Sequence, residues 1–189
     1  LNPRNGSIAS RLAYDQEQNG NLDAALAILK RAINAVPHDR KLRYTIGRMM
    51  YEHRIGTADA ITYHLERSYA PNDDNYSAQF LHACQLFATG QTEEARILFR
   101  RLQRSGVMMS AKYGIHFPLS DQFTGAIQRM EAAHCFISRD GDSELVYCPR
   151  SDFSAVVWDT ISYGSRMSFR IGFNIKGPTA YQVSLLQIN

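Results

Sequence analysis

The sequence predicts a two-part chain, α then β: an array of helical hairpins followed by a small five-stranded barrel. Gly20, Gly56 and Gly90 lie 36 and 34 residues apart, each opening a polar turn that leads into a helix-forming segment. A period near 34 is that of a repeat with two helices per unit. Beyond residue 106 the chain turns to β-branched, aromatic and glycine residues in short alternating runs, the pattern of half-buried strands. The 189 residues, 44% hydrophobic and 21% charged, suffice to bury the core of one large or two small domains.

Each repeat justifies its helices in turn. Ahead of the glycines stand Ile8, Leu12 and Ala13, or Phe80, Leu81, Ala83 and Cys84. After them come Leu26, Leu29, Ala32 and Ile33, or Ile97, Leu98 and Leu102. These spacings of three and four give one buried face per helix. Small residues at Ala13, Ala25, Gly47, Ala60, Ala83 and Ala95 allow paired helices to approach closely. Pro37 and Pro71, again 34 apart, are expected to end the second helix of the first two units, since proline loses a hydrogen bond and clashes in a helix interior.

Residues 6–105 resemble tetratricopeptide repeats, whose units carry small residues in mid-helix, a large apolar residue before the last turn and a closing proline. The first unit matches at Ala13, Ala25, Leu29, Ala32 and Pro37 and the third at Ala83, Ala95 and Phe99, whereas Asp59-Ala60 in the second is displaced by about a residue. The resemblance implies a scaffold that binds protein. Domains are expected at 1–106 for the repeats, 107–122 for a connector and 123–189 for the barrel. The connector carries Val107, Met108, Met109, Tyr113, Ile115 and Phe117, too much apolar surface for a free linker, and is expected to pack.

Strands are expected at 126–130, 134–139, 145–148, 165–172 and 179–186, separated by turns such as Arg139-Asp140-Gly141-Asp142 and Lys176-Gly177-Pro178. Five short strands suit a small barrel. Period-2 alternation puts His134 and Phe136 outside and Cys135 and Ile137 inside.

The run from Ile171 to Val183, with its Lys176-Gly177-Pro178 turn followed by Ala180 and Val183, resembles the end of a cold-shock domain. Gly125-Ala126-Ile127, Cys135-Phe136-Ile137, Val146-Tyr147-Cys148 and Ser151-Asp152-Phe153 fall in that family's order. The resemblance covers about residues 123–188. It implies an oligonucleotide-binding (OB-type) barrel whose second and third strands display rings on which bases stack. The departures bear on function. Ala132, Ala133, His134 and Cys135 replace most of the first glycine-aromatic motif, Pro149 and Arg150 stand in place of a histidine and an aromatic, and Arg129 occupies the usual tryptophan position. What remains for RNA or single-stranded DNA is Arg129, His134, Phe136, Tyr147 and Arg150, with Lys176 at the rim. The same residue types are also enriched in protein interfaces.

Charge narrows the choice of partner. Residues 1–105 carry 14 Lys and Arg against 11 Asp and Glu, while residues 106–189 carry seven of each, so any nucleic-acid contact in the barrel depends on stacking more than on a basic field. Arg96, Arg100, Arg101 and Arg104 make a basic stripe, an alternative site for an acidic partner or a phosphate backbone. No phosphate loop, dinucleotide fingerprint or H-E-x-x-H pair occurs, so neither a catalytic site, a metal nor a cofactor is expected. The histidines of the repeats are expected to be solvated on helix surfaces, and Cys135 and Cys148 to be small core residues. Three cysteines without metal-ligand spacing suggest a reducing, cytoplasmic setting, and no apolar run reaches the ~20 residues of a membrane span.

The start at Leu1-Asn2-Pro3 suggests a piece of a longer polypeptide. The reading that follows is a non-enzymatic protein-interaction scaffold with an attached barrel. Its alternatives are an arm that delivers a catalytic domain to RNA or single-stranded DNA, and a ligand-sensing segment of a multidomain NTPase or defence protein.

Overall fold

The computed structural model describes residues 5–71, 73–105, 116–142 and 144–186. Six helices are followed by five strands: α1 (Gly6–Gln18), α2 (Leu22–Ala35), α3 (Arg40–His53), α4 (Ala58–Glu66), α5 (Tyr76–Ala88), α6 (Thr92–Arg104), β1 (Gln122–Met130), β2 (His134–Arg139), β3 (Leu145–Pro149), β4 (Arg166–Asn174) and β5 (Gly177–Leu185). A short helix, α7 (Ala155–Thr160), lies between β3 and β4. Two compact units divide the chain, Leu1–Thr89 and Gly90–Asn189, so α6 is counted with the barrel. No described helix is long and apolar enough to cross a membrane.

In the first unit each helix packs on the next, and α1 and α5 each also touch α3, the neighbour pattern of stacked hairpins. Side-chain caps set four of the starts: Asn5, Asp39, Thr57 and Asn75 each accept a hydrogen bond from a backbone N–H of the first turn. Gly20, Gly56 and Gly90 follow α1, α3 and α5 with φ of 77, 84 and 83°, a left-handed backbone that glycine adopts without cost. Ala13, Ala25, Leu29, Leu42, Ile46, Leu65, Leu81 and Ala83 are fully buried. In the displaced second unit Ile61, one residue after Ala60, is the side chain that is buried. Pro37 follows the end of α2 closely, as expected. Pro71 does not end α4, which stops at Glu66 five residues earlier, where the Ser68 hydroxyl donates to the Leu65 carbonyl.

The second unit is a closed barrel with strand order β1-β2-β3-β5-β4, β4 closing on β1. All pairings are antiparallel except β3 with β5. Its interior is Ile127, Cys135, Ile137, Val146, Cys148, Met167, Phe169, Ile171, Phe173 and Ala180, all fully buried. The five strands fall where the alternation places them. Of the connector, residues 107–115 lie outside the described residues. The remainder packs as expected: His116 exchanges two backbone hydrogen bonds of 2.9 Å with Phe173, and the Leu119 N–H donates to Ile171. Within this unit α6 lays Phe99 on the barrel, its ring stacked on Phe173 at 6.0 Å and lying over Gly177.

Gly47 marks a close approach of α3 to α4. A Cβ there would stand 2.6 and 2.8 Å from Cδ2 and Cγ of the fully buried Leu65. Alanine favours a helix interior over glycine by about 1 kcal/mol, yet overpacking a rigid site costs roughly 1 to 3 kcal/mol. Gly47→Ala should therefore lower the urea midpoint of the helical unit. A rise in the midpoint would show that the α3–α4 contact yields freely.

Candidate nucleic-acid interface

The outer face of β2 and β3 gathers three rings. Phe136 and Tyr147 are direct cross-strand partners, and His134, two residues before Phe136, lies on the same face. Ring centroids are 5.3 Å apart for His134–Phe136, 5.2 Å for His134–Tyr147 and 5.9 Å for Phe136–Tyr147. All three rings are half-buried, while Cys135, Ile137, Val146 and Cys148 between them are fully inside. Opposite His134 stands Pro149, which has no N–H to give. The ladder bond is made beside it, from the Arg150 N–H to the Ala133 carbonyl.

Two cations extend the patch. The Arg129 guanidinium lies 4.4 Å from the Phe136 ring centroid, within stacking range, and also pairs with Glu131 at 3.3 Å. Strict alternation from the buried Ile127 would have turned Arg129 inward. A register shift between Ile127 and Arg129 inserts Gln128 and brings Arg129 opposite Phe136 on the outer face. At the other end Lys176 Nζ sits 6.0 Å from the Tyr147 ring. Arg129, His134, Phe136, Tyr147 and Lys176 thus form one continuous face.

Arg150 does not join them. It begins a 3-10 turn, Arg150–Asp152, and its guanidinium lies 5.6 Å from Trp158 of α7, which packs on Phe153 at 5.3 Å. The basic stripe is on α6, where Arg96 pairs with Glu93 and Arg100, Arg101 and Arg104 line a surface pocket of about 330 Å³ with Ile97. Sequence reasoning missed Gln103 on the same helix, whose side-chain amide donates to the Lys176 carbonyl at 3.1 Å.

A second polar cluster lies in the helical unit. Glu17, only 8% exposed, accepts bonds of 3.1 and 2.6 Å from Arg48, and its Oε1 is 2.8 Å from His53 Nε2. Glu52 pairs with the same guanidinium. Glu17, Glu52 and His53 are near enough to share a cation, but Arg48 already supplies the positive charge. Burial pushes the Glu17 carboxyl up, and the hydrogen bonds from Arg48 and His53 outweigh it, holding the group below its ordinary value of 4.5. The histidines are not all solvated as expected: His82 is 6% exposed, bonded to the Tyr69 hydroxyl at 2.7 Å, and burial lowers its pKa to about 4. Cys84, Cys135 and Cys148 are buried free thiols. Burial raises Cys84, and the hydrogen bond that the Cys148 thiol donates to Cys135, together with burial, raises Cys148.

No family model matches the chain, and no curated protein is significantly similar to it.

The depressed Glu17 pKa has a definite sign. Its contribution to stability is complete above the ordinary carboxylate range and is lost as pH falls through the lower folded value. Glu17→Gln should cost roughly 1 to 3 kcal/mol at neutral pH and flatten the acid limb of a stability–pH profile. An unchanged acid limb would place the acid sensitivity elsewhere. The sole tryptophan, Trp158, should emit at short wavelength and resist acrylamide quenching, being 8% exposed. Arg150→Gln should alter that emission and Tyr147→Ala should not. The reverse result would put Arg150 back on the ring face.

Proposed function

We propose that the chain is a non-enzymatic binding module whose barrel takes single-stranded nucleic acid, RNA or DNA, on the face of Arg129, His134, Phe136, Tyr147 and Lys176. The observation that carries this reading is the cross-strand Phe136–Tyr147 pair with His134 against both rings and a cation at each end. Half-exposed rings offer faces to unpaired bases at roughly 1 to 3 kcal/mol per stacked base, while Arg129 and Lys176 neutralise phosphates. Duplexes hide their base faces and should bind less well. The ordered cold-shock-like motifs support the same reading, as does the OB-type strand order.

For the helical unit we infer a tetratricopeptide-like scaffold that engages a protein partner, on the strength of its recurring glycine turns and buried small residues. Buried free thiols suit a reducing, cytoplasmic setting. One observation favours a second reading of the barrel face, as a protein contact: residues 106–189 lack excess positive charge, and Glu131 already pairs with Arg129.

Fluorescence polarisation with labelled single-stranded oligonucleotides at low salt separates the two. The full chain should bind single strands more tightly than duplex. Phe136→Ala with Tyr147→Ala should weaken binding by about tenfold or more while Trp158 emission stays native. Absence of binding by the unaltered chain would favour the protein-contact reading. Undiminished binding by the double variant would remove the rings from the site.

A further inference from the structure

The ring face and the basic stripe of α6 belong to the same compact unit, and Lys176 stands between them. Its ammonium approaches the Tyr147 ring at 6.0 Å, and its backbone carbonyl accepts the Gln103 side-chain amide at 3.1 Å. The junction is fixed beneath by the Phe99–Phe173 stack and by Phe99 over Gly177. At about 100° per residue, Gln103 lies at the edge of the buried Ala95–Phe99–Leu102 face of α6. Arg96 and Arg100 follow next around the helix, then Arg104. Arg100 and Arg104 are exposed and line the surface pocket of about 330 Å³. Arg96 is engaged by Glu93, and Arg101 is half-buried and lies farther round the helix from Gln103, which leaves Arg100 and Arg104 as the stronger phosphate ligands of this stripe.

We infer that the barrel face and the α6 arginines form one track for a single strand, with bases stacked over Phe136 and Tyr147 and the continuing backbone led past Lys176 and Gln103 onto Arg100 and Arg104. This rests on the proposed single-strand reading of the barrel. It assigns the two ends different chemistry. The β2–β3 end reads base faces and is served by a few nucleotides. The α6 end has no ring on its basic stripe, holds phosphate alone and is reached only by a longer strand.

Length and salt resolve the two ends. Binding of labelled oligothymidylates of about 4 and about 12 nucleotides, lengths within the range that one such barrel covers, is measured by polarisation from low to moderate salt. The longer strand should bind more tightly and with a steeper dependence on salt. Arg100→Gln with Arg104→Gln should leave the short strand unaffected, weaken the long one and reduce its log–log salt slope by up to about 1.4, at about 0.7 per lost phosphate contact on single strands. A control that removes the same charge from α2, Lys30→Gln with Arg31→Gln, should leave both slopes unchanged. Both arginines are exposed, so native Trp158 emission and unaltered circular dichroism are expected of the double variant. A long-strand affinity and slope that ignore the arginine substitutions, with the short strand still bound through Phe136 and Tyr147, would overturn the track and leave the barrel reading standing. Failure of both strands to bind the unaltered chain would overturn both.

Discussion

Everything on the barrel surface depends on how β1 serves two neighbours. Its first half pairs with β4 and its second half with β2, and the two pairings overlap at Gly125 and Ala126. At Gly125 a Cβ would stand 2.1 Å from the Ser138 carbonyl oxygen, closer than any side chain tolerates. Only glycine lets the strand coil tightly enough there to close the cylinder. Once the strand has turned, the extra residue at Gln128 rephases it, and the side chain that emerges beside Phe136 is Arg129. Closure and surface chemistry are therefore coupled through a few residues of a single strand. From the β2–β3 turn, Asp140 bonds Thr124 and both terminal guanidinium nitrogens of Arg166, tying that turn to the start of β4. These bonds from Arg166 and Thr124 hold the Asp140 carboxyl down to about 2.

The face so produced differs in kind from a basic groove. Residues 106–189, which build the barrel, carry no net charge, and Arg129 shares its charge with Glu131. Long-range attraction contributes little under those conditions, and selectivity must come from contact. Rings in mutual edge contact, with a guanidinium against one of them, already have their geometry set before a ligand arrives. Little rotamer entropy is then lost on binding. A planar ligand that covers Phe136 and Tyr147 gains dispersion and stacking. A merely acidic one gains only two partly screened cations.

Much of this was legible because strand and turn chemistry are local. Alternation located all five strands, and the spacing of Gly20, Gly56 and Gly90 located turns whose left-handed backbone requires glycine. The rings were legible for the same reason, since residues two apart on one strand share a face. Three features were not. The Gln128 bulge leaves no mark on a hydrophobic pattern. Arg150 was placed on the ring face by the cold-shock resemblance, but the chain enters a 3-10 turn there and carries its side chain to Trp158. His82 looked like a surface residue because polarity suggests exposure, yet α5 is buried from Ala78 to Phe87 and admits a neutral histidine bonded to Tyr69.

Helix α6 shows the limit of periodicity most clearly. Ala95, Phe99 and Leu102 announce an apolar face but not what it meets, because hydrophobic spacing encodes burial without naming the partner. The structure sets Phe99 against Phe173 and over Gly177, at the turn that joins β4 to β5. That turn carries Lys176, so the residue at the rim of the ring face is positioned by a helix that reads, in sequence, as part of the repeats. A barrel fragment beginning after residue 106 would keep every strand yet lose the ring stacked on Phe173 and the Gln103 bond to Lys176. A fragment that keeps both contacts to the β4–β5 turn must begin before α6 rather than after it.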